Sequence, residues 1–259
     1  RTGIATVSDF RSRDMAAGGE GAPLVPYTHF LVFRNTKAIR WVVNLGGIAN
    51  VTTLPRGERL ASVQAFDTGP CNMLLDALIT VETKGRHTID RGGRFAQQGQ
   101  VHSGLLRWLL AHPYLHRPPP KSTGRELFGE AYVQKVLAQS RRRHMSLNDL
   151  LATSCQFIAH TLRDAQQWAN HIPGDVVCGG GGVRNARLWA ELEKIFAPVP
   201  VRTMEDCGSS SQAFEAQAFA VLAYQTVHGV CANVPSATGA RHSVILGSVT
   251  PGLQGFVKQ

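Results

Sequence analysis

The chain has 259 residues, 43% hydrophobic and 17% charged, which is enough apolar material for one large domain or two small lobes. There is no stretch of about 18 consecutive apolar residues, so no membrane partner is expected. Five scattered cysteines (Cys71, Cys155, Cys178, Cys207, Cys231) form no CxxC pair, which disfavours zinc and a disulfide framework and fits a reducing, cytoplasmic setting. The net charge of +9 suits anionic ligands such as nucleotides. The only dense basic run, Arg141–Arg142–Arg143–His144, lacks the interleaved aromatics of a single-strand surface and reads as a solvated helix end, so no nucleic acid is expected.

The opening RTGIATVSDF has no initiator Met and no charged-then-apolar leader, so the sequence is expected to be a chain trimmed at its start. Residues 1–10 read as a strand running into DFRSRD, and 16–33 as a glycine-proline loop ending in the apolar run FLVF. IRWVVNLGGIANVTTL is a buried strand, a glycine turn and a second strand; RLASVQAFDTGP is a third strand. CNMLLDALITVETKG has helical spacing and stops at Gly85. A helix (HSGLLRWLLAH) leads into the stiff connector Pro118–Pro119–Pro120. Helical patterns follow at 127–144 and at 146–170, the latter with Ser146 as its cap. GDVVCGGGGVRN is strand then glycine turn, followed by a helix at 186–196, a short strand VPVRTM and an apolar helix closed by Gly229. The tail from 230 reads as loop. Strands alternating with helices, with glycines in the turns between them, predict an α/β fold.

Five segments carry candidate chemistry. In NLGGIANVT, Gly46 and Gly47 let backbone N–H groups approach an anion, with Asn44 and Asn50 at the strand ends; an ordinary hairpin turn is the alternative. In CGGGGVRN, the four glycines Gly179, Gly180, Gly181 and Gly182 are too costly for a simple turn, and they let a flat adenine or ribose lie against backbone at a helix start, ahead of Asn185. The pattern is neither GxGxxG with a downstream acid nor a GxxxxGK[ST] loop. In FDTGPCN, Asp67 stands at a strand's C-terminal edge as a general base or magnesium partner, or else caps the next helix. Glu215 is a lone carboxylate on an apolar helix, where it either serves the site or complements the helix dipole. Asp9, Arg11 and Asp14 in DFRSRD suit either ligand binding or a surface ion-pair cluster.

Together the ordered segments SDFRSRDMAAGGEGAPLVP, NLGGIANVT, FDTGPCN, DRGGRFAQQG, PPKSTGRELF, CGGGGVRN, EAQAFA and NVPSATGA resemble the anhydro-N-acetylmuramic acid kinases, of the actin, heat-shock ATPase and hexokinase-like superfamily. The resemblance implies an α/β, ribonuclease-H-like, two-lobed kinase whose first lobe is incomplete here. It also implies ATP and Mg²⁺ as cofactors, and cleavage of the 1,6-anhydro ring coupled to phosphorylation of O6, giving N-acetylmuramate 6-phosphate in bacterial cell-wall recycling. It makes Asp67 the base, with Glu215 as a second active-site carboxylate. Asn44, Gly46, Gly47 and Asn50 would face phosphate, Gly179–Gly182 and Asn185 the adenosine, and Asp9, Arg11 and Asp14 the sugar; a homodimer is compatible with it.

Residues 1–40 are expected to be a remnant of the first lobe, 41–230 the second lobe, and 231–259 a tail returning to the first. FLVF (30–33) is expected to be left exposed. The family's first phosphate loop, of GxMSGTSxDG type, does not occur here, and Cys71 stands where the family usually has glycine. The alternative function is an inactive fragment that binds sugar or nucleotide weakly.

Overall fold

The computed structural model of the chain describes residues 3–57, 59–169 and 172–253. In chain order the elements are β1 (Thr6–Ser8), α1 (Ser12–Ala16), α2 (Pro26–Phe33), β2 (Arg40–Leu45), β3 (Ile48–Leu54), β4 (Gln64–Pro70), α3 (Asn72–Glu82), α4 (Arg94–Gln97) and α5 (Ser103–Leu110). They continue with α6 (Arg125–Phe128), α7 (Glu130–Arg141), α8 (Leu147–Asp164), β5 (Asp175–Gly179), α9 (Ala186–Phe196), β6 (Val201–Thr203), α10 (Phe214–Val227), α11 (Pro235–Thr238) and β7 (Ser248–Thr250).

The main sheet has five strands in the order β4-β3-β2-β5-β6. β3 runs antiparallel to β2 and to β4, whereas β5 is parallel to both β2 and β6. Three meandering strands followed by two parallel ones, with only the second strand reversed, is the ribonuclease-H-like arrangement expected from the resemblance. The central strand β2 is buried on both faces, which is why RWVVNL is a nearly continuous apolar run rather than an alternating one.

Strand alternation divides the core into two layers. Trp41, Val43 and Leu45 join Val51, Phe66, Val176 and Cys178 on one face, under α3, α8 and α9. Val42, Leu54, Ala65 and Val177 face the other way, toward Tyr27, Phe30 and Phe33 of α2, Phe214 and Leu222 of α10, and Ala237 of α11. FLVF is therefore not left exposed: the run forms the end of α2, and its i, i+3 pair Phe30 and Phe33 is buried, while Leu31 and Val32 face solvent.

Residues 230–253 are more ordered than a loop. β7 pairs antiparallel with β1 in the register Thr6↔Thr250, Val7↔Val249 and Ser8↔Ser248. Ser146 caps α8 as expected, accepting from the Asp149 N–H. The basic run closes α7, with Arg141 paired to Glu82 on the surface.

His29, on the sheet-facing side of α2, is 3% exposed, stacked on Phe214 and hydrogen-bonded through Nδ1 to Thr52 Oγ1 at 2.9 Å. Burial pushes its imidazole down to about 3. A group depressed in this way stays neutral in the fold while the unfolded chain takes up a proton near pH 6.5, so stability is lost as pH falls below that value. Chemical denaturation between pH 7.5 and 5 is expected to show wild type losing about 1.4 kcal/mol per pH unit relative to His29→Gln below pH 6.5. Parallel curves for the two proteins would contradict this.

Candidate active site

The register of the sheet gathers the sequence-predicted residues. Gly179 pairs with Asn44 across β5–β2, Asn44 with Asn50 across β2–β3, and Asn50 with Asp67 across β3–β4. Paired positions share a face, so these four residues form one row on the face that carries α2, α10 and α11, spanning three strand spacings or about 14 Å. The row closes a continuous ladder from Thr53↔Gln64 to Asn50↔Asp67, and a bulge follows it. Ala49 opposes Gly69, but Asn50 opposes Asp67, leaving Thr68 as the extra residue; its hydroxyl donates to the Ala49 carbonyl at 3.2 Å. Asp67 points to the α2, α10 and α11 side because it alternates in step with Ala65, two residues before it.

Asp67 does not cap α3. The first amides of that helix are taken by the hairpin instead: Cys71 N and Met73 N donate to the Gly47 carbonyl, and Asn72 N to that of Gly46. Asn72 Nδ2 also donates to the Leu45 carbonyl at 2.8 Å. The segment after the triple proline holds Asp67: Thr123 N donates to Asp67 Oδ2 at 2.9 Å, and Asp67 N donates to the Lys121 carbonyl at 3.2 Å. The Tyr114 hydroxyl donates to the Asp67 carbonyl at 3.0 Å. Burial pushes the Asp67 carboxyl up to about 6; the Thr123 N–H opposes the shift, Glu126 adds to it and Lys121 lowers it. Asp67 lines a pocket with Glu20, Pro23, Arg117, Lys121 and Ser122.

The glycine turns lie beside the Asn44 end of the row. A Cβ on Gly180 (φ +84°) would stand 2.6 Å from Asn44 Oδ1 and 2.9 Å from the Leu45 carbonyl carbon, and one on Gly46 3.1 Å from Asn44 Nδ2. Gly179 abuts Met204, and a Cβ on Gly182 would stand 2.6 Å from Leu45 Cβ. Packing against Leu45 thus calls for glycine at Gly180 and Gly182 whether or not a ligand is present. Gly181 and Gly47 are exposed and have room; the nearest atom to a Cβ on Gly181 is Asn72 Nδ2 at 3.6 Å. From Gly46, Gly47 and Asn72 a groove runs between α3 and α6–α7, floored by Met73, Phe128 and Val133.

Other expected site residues are placed differently. Asn185 is buried and caps α9, its Oδ1 accepting from Arg187 N and Leu188 N at 3.1 Å, so its oxygen is already used. Asp14 is 0% exposed, with both carboxylate oxygens engaged inside the protein, and it has no open face for a sugar. Asp9 and Arg11 are exposed and do not line the Asp67 pocket; Asp9 accepts from Ser12 Oγ at 2.6 Å. Glu215 is exposed on the first turn of α10, outside the lining of that pocket.

Sequence reasoning missed Glu20, Lys121, Thr123 and Asn72, although GGEG, PPKSTG and GPCN each set a polar residue beside chain-bending glycines or prolines. At Cys71 the thiol is wholly buried in the layer beneath α3 and α8, and the backbone has φ −129° and ψ −110°.

The family model for anhydro-N-acetylmuramic acid kinase matches residues 1–252. The chain belongs to that family. The kinase of this name from Caldanaerobacter subterraneus subsp. tengcongensis is 42% identical over 253 residues, covering 96% of this chain and 64% of its own. That from Gloeobacter violaceus is 43% identical over 252 residues, covering 97% and 65%. The chain thus spans a little under two thirds of the length of these relatives. Among solved structures, the activator of the 2-hydroxyisocaproyl-CoA dehydratase from Clostridium difficile aligns over 78% of this chain and 68% of its own, with a TM-score of 0.44 and 13% identity.

The contrast between adjacent glycines in this family member is testable. Gly180→Ala is expected to lower unfolding stability by about 2 kcal/mol or more, combining positive φ with a clash against backbone. Gly181→Ala is expected to unfold within about 0.5 kcal/mol of wild type. Equal losses in thermal melts would refute the distinction.

Proposed function

We propose that the protein is an ATP-dependent sugar kinase which opens the 1,6-anhydro ring of anhydro-N-acetylmuramic acid with water and phosphorylates O6, in the bacterial cytoplasm. The observation that carries this reading is the row Asp67–Asn50–Asn44–Gly179, which joins a carboxylate in a pocket to two glycine turns at one end of one sheet. Family membership supports the substrate class.

Asp67 takes the proton from the water that attacks C1. With its carboxyl near 6 it is ionised at neutral pH, yet more basic than an ordinary aspartate. The Thr123 N–H fixes the carboxylate, and the Tyr114 hydroxyl fixes the backbone behind it. ATP supplies the phosphoryl group. The chain suits a nucleotide at the exposed backbone of Gly47 and Gly181, where a Cβ would meet no close atom, with the adjoining groove to take the nucleoside. Asn44 and Asn50 stand between that turn and Asp67, where they would orient the phosphates.

Among the described residues no group of three His, Cys, Asp or Glu side chains forms a metal cage. Mg²⁺ bound chiefly through phosphates and water, with one or two protein carboxylates, fits such a site. Glu215, Asp9 and Arg11 enter this reading through the motif match alone.

A coupled assay with Mg-ATP and the anhydro-sugar on the protein at its full natural length tests the proposal. Asp67→Asn is expected to lower kcat by about 10²- to 10⁴-fold with nucleotide affinity unchanged. In the unsubstituted enzyme kcat/KM should fall as pH drops through about 6, where the Asp67 base becomes protonated. Near-normal turnover by Asp67→Asn, or a flat profile between pH 7 and 5, would overturn the assignment.

A further inference from the structure

Asp14 is a buried carboxylate that the proposed chemistry does not use. Its Oδ2 accepts from Gly21 N at 2.9 Å, and its Oδ1 accepts from Asn233 Nδ2 and from Thr238 Oγ1, each at 2.8 Å. Three donors compensate a charge that would otherwise be expensive to bury. The same interaction fixes a loop. Gly19 N donates to the Asp14 carbonyl and Glu20 N to the Thr238 carbonyl, while Gly19 packs so closely on the carboxylate that a Cβ there has no room. Glu20 is thus held by its backbone between a buried aspartate and α11. Its side chain is exposed, and it lines the Asp67 pocket.

We propose that Glu20 is a substrate-contacting residue, accepting a hydrogen bond from an O–H or amide N–H of the sugar, and that Asp14 is the positioning residue that sets its loop. An ionised carboxylate only accepts, so its complement in the pocket is a donor on the ligand. The pocket is polar in a directed way: Glu20 and Asp67 supply acceptors, and Arg117 and Lys121 supply positive charge. An acidic sugar is therefore oriented with its carboxylate toward Arg117 and Lys121 and its donors toward Glu20. This inference rests on the sugar-kinase reading.

Calorimetry with the anhydro-sugar alone, together with steady-state kinetics, tests it on the full-length protein. Glu20→Ala should weaken sugar binding and raise the sugar KM about tenfold or more, the scale of one hydrogen bond to a charged group. The kcat should stay within threefold and the nucleotide KM within twofold, and Glu20→Gln, which keeps an acceptor oxygen, should recover most of the affinity. Asp14→Asn should move the sugar KM in the same direction; if that variant fails to fold, the Glu20 pair decides the matter. Sugar binding by Glu20→Ala within twofold of wild type, or an equal rise in the nucleotide KM, would overturn the assignment while leaving the kinase reading intact. Absence of sugar binding by the unsubstituted protein would overturn both.

Discussion

The register of β4 against β3 governs the site. Continuous pairing from Thr53↔Gln64 to Asn50↔Asp67 sets Asp67 on one face with Asn44 and Gly179. A one-residue slip in that pairing would turn the carboxylate into the layer beneath α3 and α8, away from the row. The bulged residue Thr68 follows Asp67 and ends the regular ladder. β4 is the edge strand of the sheet, so its outer edge binds the 121–123 segment, from which the Thr123 N–H reaches the carboxylate. Register thus places Asp67, the edge segment orients it, and burial raises its proton affinity.

The surrounding structure shows how such a site is supported. The two glycine turns are packed on each other through Asn44, so Gly46 and Gly180 are small because the asparagine lies between them. The hairpin carbonyls cap α3, which ties the turn rigidly to a helix that would otherwise begin with orphan amides. On the far side, Asp14 ties the 19–21 loop to the residues around 233–238. Within the two turns, open space is therefore concentrated at Gly47 and Gly181. The depressed proton affinity of His29 and the raised one of Asp67 have the same physical origin, burial of a titratable group. Only Asp67 lines a pocket and can use its shifted affinity for chemistry.

Much of the fold was legible because its signals are local. Glycine-bounded apolar runs marked β2 to β5, and helical spacing marked α3, α5, α7, α8, α9 and α10. What escaped was set by partners distant in sequence. α2 looked like a loop because Gly and Pro dominate 18–26, yet Phe30 and Phe33 find a sheet to cover. β7 is three residues with no strong pattern and exists because β1 pairs with it. In the site, Asp67 and the glycine turns were readable from short motifs. The bulge, the Thr123 clamp and the entry of Glu20 were not, since each depends on residues distant in sequence meeting in space: Ala49 with Thr68, Asp67 with Thr123, and Glu20 with Thr238. Asn185 and Asp14 were polar residues in suggestive motifs whose oxygens turned out to be spent on a helix cap and a loop anchor.

A crystal structure of the full-length protein with a non-hydrolysable ATP analogue and the anhydro-sugar tests the central claim most directly. The account predicts the nucleotide along the exposed backbone of Gly47 and Gly181, and the sugar in the Asp67 pocket with its anomeric carbon facing the carboxylate. A nucleotide bound away from both glycines, or a sugar with no atom near Asp67, would contradict it.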